Sequence, residues 1–222
     1  MHGSTTDRQN TEFDFVWLRA VWWALDMDGE AADRNDGGRM RDLEEIRDIL
    51  GVPPYRGAPT DWEAAGQALG ATIPRDFRTL VDAFGPGMIG NDTLLLQPYA
   101  TDQDYDQVLI HQERMRGLEI TWEDETHSPP EFRAKPAIFD EPGVRPVLWA
   151  CSGLGFYLYW VARPDTDPAA WQIAFESARG EDWQFHSGTA TSFLLRLLRG
   201  RESSKYLDYL QNVEQHSFTP AG

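Results

Sequence analysis

Residues 60–87 read TDWEAAGQALGATIPRDFRTLVDAFGPG, and the spacing of their apolar and punctuating residues predicts two short helices in close succession. Thr60 and Glu63, three positions apart, form a capping box, while Trp62, Ala65 and Leu69 fall on one helical face that Gly70 closes. Pro74 stands where a first-turn proline is tolerated. Phe77, Leu80, Val81 and Phe84 then make a second apolar stripe that ends at Gly85.

Working outward, a helix is expected upstream from about 39 to 50, stopped by Gly51 and the Pro53-Pro54 pair, with a polar linker over 28–38 before it. Phe13, Val16, Trp17, Ala20, Val21, Ala24 and Leu25 follow helical spacing and predict a further helix at 13–25 after a polar start. Asp7, Glu12 and Asp14 precede that apolar run and no basic n-region frames it, which argues against a signal peptide. Downstream, a strand is expected at 93–97, broken by Pro98, and a helix at 104–116. Residues 144–150, 156–161 and 171–175 are rich in aromatic and β-branched residues and read as strands, the first two joined by the SGLG hairpin at 152–155. FYLYWV at 156–161 is apolar on both faces, so it is expected to be central and covered. Helices at 190–199 and 202–213 finish the chain. Helices, then strands, then helices make an α+β order.

Charge and composition narrow the function. The 222 residues carry 36 acidic and 20 basic side chains, a net charge of −16 that repels nucleic acids and anionic lipid alike and leaves a basic protein as the expected charged partner. No stretch reaches the roughly 18 apolar residues of a spanning helix. The single cysteine, Cys151, excludes an internal disulfide and a cysteine metal cage, so the reducing cytoplasm is the expected compartment. Lys135 and Lys205 are the only lysines among the 20 basic residues, the usage of a GC-rich bacterial coding sequence.

The order of these motifs resembles the SUKH superfamily, which includes fungal cell-wall regulators and many bacterial proteins that look like immunity proteins of polymorphic toxin systems. Trp62, Glu63, Leu69, Gly70, Ile73, Pro74, Asp76, Phe77, Phe84 and Gly85 match its helix pair, with isoleucine at 73 where the family carries leucine. The likeness continues through Leu94 to Pro98, Trp149, SGLG, Trp160, Trp171 and FLLRLLRG at 193–200. It implies an α+β domain over 39–200 with a curved, mainly antiparallel sheet flanked by helices, acting by binding protein rather than by catalysis. Residues 1–38 would then be an appendage whose helix has no counterpart in the family, and 201–222 a C-terminal helix and tail. Trp62, Gly70, Pro74, Phe77, Phe84, Gly85, Trp149 and Trp160 are the fold-defining positions; such residue types build cores and turns and perform almost no chemistry.

No catalytic group, metal site or cofactor is expected. Asp102, Asp104, Asp106 and Glu113 fall at positions 1, 3, 5 and 12 of a calcium-loop template, yet Gln107 occupies the position that needs glycine, so the aspartates read instead as helix caps. Cys151 ends an apolar strand with no basic neighbour in sequence, which makes it structural rather than a nucleophile for His186. The five histidines show no ligand spacing. The candidate partner surface is the acidic segment with Asp102, Asp104 and Asp106 and, further on, Trp122 beside Glu123, Asp124 and Glu125. Charges would steer a basic partner and the ring would supply buried area; a solvated loop with an inward tryptophan is the other reading of the same residues. The function these features imply is stoichiometric neutralisation of a toxin, such as a nuclease with a basic site. The alternative is a regulatory scaffold that docks a host protein in signalling or cell-envelope control.

Overall fold

The computed structural model describes residues 38, 40–52, 54–90, 92–124, 135–177, 182–202, 204, 207, 210 and 216–221. The helix expected at 13–25 and most of the one expected at 202–213 lie outside them. The chain divides into two units, Met1–Arg41 and Asp42–Gly222, and the elements below belong to the second apart from the first residues of α1.

Helix α1 spans 40–50, and the predicted pair follows as α2 (Trp62–Leu69) and α3 (Arg75–Phe84). Because α2 begins at Trp62, the residue that caps it is Asp61 and not Thr60: the Asp61 carboxylate accepts from the Ala64 amide at 3.0 Å. Pro74 precedes the first turn of α3, and buried Phe77, Leu80, Val81 and Phe84 form its inner face. Asp76, also buried, accepts from the Thr191 amide at 3.0 Å and so places a carboxylate at the start of α5 (Ala190–Leu198).

Seven strands form one open antiparallel sheet, ordered β6-β5-β4-β3-β2-β1-β7. They are β1 (Gly87–Ile89), β2 (Thr93–Leu95), β3 (Arg145–Ser152), β4 (Tyr157–Ala162), β5 (Ile173–Glu176), β6 (Trp183–His186) and β7 (Phe218–Pro220). With helices on both faces of this sheet, the described chain is an α+β fold. Central β4, apart from its half-buried first residue Tyr157, is covered on both sides, as its two-faced apolar run requires. β1, β6 and β7 had no counterpart among the expected strands, and the strand expected at 93–97 stops at Leu95. Gly87 is the point where β1 and β7 close up, since a Cβ there would lie 2.4 Å from the Phe218 ring.

Each face of the sheet has its own core. On one, α1, α3 and α5 pack over Val147, Trp149, Trp160, Ile173 and Phe175. At its centre Phe77 meets Trp160 edge-on at 4.8 Å and Trp149 at 6.1 Å. A bulge between Leu148 and Ala150 breaks the strand alternation, so Trp149 and Ala150 both join this core while Cys151 turns to the other face. Trp62 lies at the rim, half-buried, with its indole N–H donating to Asp82 at 3.2 Å.

On the second face lies α4 (Gln107–Asp124), eight residues longer at its C-terminus than the sequence suggests. Its inner face begins with polar residues for a reason found in the sheet. β2 ends at Leu95 opposite Ala150, so Leu148 has no strand partner on that side. Two side chains of α4 stand in for the missing strand: Gln107 Nε2 donates to the Leu148 carbonyl at 2.6 Å, and His111 Nδ1 accepts from the Leu148 amide at 3.3 Å. One turn on, Arg114 pairs with buried Glu176 at the end of β5, and the Tyr159 hydroxyl donates to the same carboxylate. Arg114 also lies over the Tyr157 ring, 4.4 Å from its centroid.

Burial, with Arg145 nearby, lowers the His111 imidazole from 6.5 to about 4. The unfolded chain therefore takes up a proton near pH 6.5 that the folded chain refuses until about pH 4, and folding weakens across that window as the medium acidifies. From pH 7 to pH 4.5 this single group is expected to remove about 2–3 kcal/mol. Urea denaturation of His111→Gln at both pH values checks it; equal acid losses in wild type and variant would contradict the assignment.

Candidate partner-binding site

Helix α4 separates the acidic residues that the sequence runs together. Asp106 and Glu123 sit at its opposite ends, about 25 Å apart at 1.5 Å rise per residue. At the C-terminal end the Trp122 ring is half-buried, stacked on Phe139 at 5.7 Å and set against Trp183 at 6.3 Å, with the Lys135 ammonium 5.4 Å from its centroid. Trp122 thus lies on a helix and packs onto the second core rather than standing in a loop. Glu123 is exposed, Asp124 closes the helix, and Glu125 lies outside the described residues.

The N-terminal end is built differently. Asp106 Oδ1 accepts from the amides of Tyr99, Val108 and Leu109 at 3.1, 2.9 and 3.4 Å, which caps α4 and ties down the loop before it. Asp102 Oδ1 accepts from the Asp104 amide at 3.1 Å and starts a single 3₁₀ turn, Gln103–Tyr105. Capping is therefore the structural work of Asp102 and Asp106, while Asp102 and Asp104 stay exposed.

Beside this loop an open groove of about 480 Å³ runs between residues 55–61 and 97–102, with Pro86 and Ala221 at its base. Its aromatic walls are Tyr55 and Tyr99, its carboxylates Asp61 and Asp102, and Gln97 lines it between them. No Lys, Arg or His is among its described lining residues. Tyr55 lies flat against the backbone of Gly85, where a Cβ would fall 2.3 Å from the ring and φ is +71°, so both the space and the conformation there need glycine. Tyr99 is 49% exposed and holds φ at 57°, a left-handed conformation uncommon for a bulky residue. The Asp106 bond to its amide and its own hydroxyl, which donates to the Ala64 carbonyl of α2 at 3.2 Å, keep it there.

Two further grooves, of about 590 and 320 Å³, meet at the α2–α3 connection and carry arginines: Arg78 in the first, Arg145 and Arg163 in the second. Of these three grooves, the one beside α4 is the one with no basic side chain among its described lining residues.

The structure does not bring Cys151 and His186 together as a nucleophile and its base. Burial, with Asp92 close by, pushes the Cys151 thiol up to about 12, far from a reactive thiolate. His186 is on β6, three strands from Cys151 on β3, and its Nδ1 is paired with Glu202 at 2.9 Å. Among the described residues no three His, Cys, Asp or Glu side chains group as metal ligands, and no helix is long and apolar enough to cross a membrane.

Sequence reasoning named Asp102 and missed Tyr55, Asp61, Gln97 and Tyr99. The signal available was the pairing of tyrosines with Pro54, Pro59 and Pro98 in two loops that carry no regular element. Compared with protein-family models, curated proteins and solved structures, the chain gives no match.

Proposed function

We propose that this chain is a cytoplasmic, non-enzymatic binding domain that neutralises a basic protein by occupying its surface one to one. The observation that carries this reading is the groove at the N-terminal end of α4, walled by tyrosines, edged by carboxylates and without a basic lining residue, on a chain of net charge −16. Aromatic walls supply buried area at low entropic cost, and the acidic field speeds encounter with a positive surface. The resemblance to the SUKH superfamily gives the partner's class as a toxin domain. A nuclease fits, because its substrate site is basic and carboxylates can occupy it in place of phosphates.

The test is a titration. A basic protein captured from the native host should lose its activity linearly and completely at one equivalent of the chain, with an association rate that falls as salt rises. Inhibition below one equivalent, or substrate turnover by the chain alone that a point substitution abolishes, would overturn the reading.

A further inference from the structure

The two halves of α4 are fastened to the sheet by different means. Its C-terminal half is held by Leu118, buried in the second core, by Trp122 stacked on Phe139, and by the pairing of Arg114 with Glu176. Its first two turns, residues 107–113, bury one apolar side chain, Val108, and otherwise hang on Leu148 through Gln107 and His111. Leu148 and Gln107 have no exposed surface and His111 is 7% exposed, so water cannot replace either bond while the helix is seated. His111 accepts from the Leu148 amide only as the neutral imidazole with Nδ1 bare and its proton on Nε2. A second proton sets two N–H donors face to face and leaves the buried Leu148 amide without an acceptor.

The surrounding charges do not compensate. α2, the 3₁₀ turn and β3 pack against α4. Their titratable groups are Glu63 on α2, Asp104 and Tyr105 on the turn, and Arg145 and Cys151 on β3. Burial disfavours an imidazolium at position 111, and of those groups Arg145 is the one whose charge bears on it, in the same sense. On α4 itself Glu113 is exposed and Arg114 is matched by Glu176.

We propose that His111 is an acid-operated latch: a proton on its imidazole frees the first two turns of α4 from the sheet, and the Tyr99 loop with them, while the C-terminal half of the helix stays seated. The loop follows because Asp106, which caps α4 at the Val108 amide, also holds the amide of Tyr99. Acid thus withdraws the Tyr99 wall of the groove. Release of a partner seated there is a consequence that rests on the groove being the partner surface; the latch itself does not.

The test is amide hydrogen exchange of the full chain, followed by NMR at pH 7 and pH 5 with and without dilute urea, each rate being divided by the intrinsic rate of that amide at that pH. The unlatched state takes up the proton at the ordinary 6.5 and the latched one only at about 4, so acid favours unlatching. Protection of the Leu148 amide is expected to fall tenfold or more from pH 7 to pH 5, with the Tyr99 and Val108 amides falling alongside. Dilute urea should leave these three rates nearly constant, because a local opening exposes little surface, and should speed exchange in β4, which opens with the whole fold. His111→Gln supplies an acceptor that does not titrate and is expected to keep the protection of all three amides within twofold across the same pH range; a thermal melt confirms that it is folded, and the wild-type series decides alone if it is not. Unchanged protection of Leu148 in the wild type, a fall of the same size in His111→Gln, or a urea dependence at Leu148 equal to that of β4 would overturn the latch. A latch that opens at pH 5 while one-to-one inhibition persists there removes the groove from the function proposed above and leaves the latch, whereas a latch that stays shut leaves that function untouched.

Discussion

Phe77→Ala is expected to lower the unfolding free energy by about 3–5 kcal/mol, the range for emptying a fully buried aromatic site. The ring touches both tryptophans of the central strands, so its loss leaves a cavity whose walls belong to β3 and β4 and cannot collapse onto one another. Trp62→Ala is expected to cost well under half as much, although the sequence presents the two positions as equals, because the Trp62 side chain is half-buried at the rim with its N–H bonded to exposed Asp82. Urea denaturation of both variants decides it. Similar losses would mean that the centre of this core is not where Phe77, Trp149 and Trp160 meet.

Arg114→Met is expected to be comparably damaging for an electrostatic reason. It leaves Glu176, with no exposed side-chain surface, without its cation, and breaking a buried pair from one side costs about 3–5 kcal/mol. Burial already pushes the Glu176 carboxyl above its ordinary range, opposed by the hydrogen bonds from Arg114 and Tyr159. Without Arg114 the carboxyl rises further, and a folded-state value above the unfolded one penalises folding only while the group is ionised. The deficit of Arg114→Met should therefore shrink as pH falls. Arg114→Met/Glu176→Gln should recover much of the loss at pH 7, since a neutral amide needs no cation and still accepts from the Tyr159 hydroxyl. Additive losses in the double variant would show that the two side chains do not act as a pair.

The helices were legible where their own sequence closes them. Gly70, Pro74 and Gly85 bound α2 and α3 from within, and the central strands announce themselves by runs of buried aromatics. What escaped depends on distant residues. GMI at β1, WQFH at β6 and FTP at β7 are too short or too mixed to show a period of two, and they are strands because a neighbour offers free backbone groups. Helix α4 runs past its expected end at 116 because Gly117, a residue that reads as a helix stop, lies inside it. The acidic segment was legible as charge and not as a surface. Whether Trp122 faces a partner or Phe139 is settled by residues 17 positions apart that only the fold brings together. The groove was the least legible of all, since Tyr55 and Asp61 belong to one stretch of chain and Gln97 and Tyr99 to another, with no shared pattern.

The pairing of β1 with β7 has a consequence for synthesis on the ribosome. Ile89 waits for Phe218, about 130 residues later, before that margin of the sheet is sealed, and closing so long a loop is among the slower steps a domain can require. During translation the nascent chain can assemble its central strands and the α3 layer while one border still presents unpaired amides and carbonyls to neighbouring chains. The residues of β7 are then the ones that end this vulnerable interval, and a chain stalled before Phe218 is left with an adhesive rim.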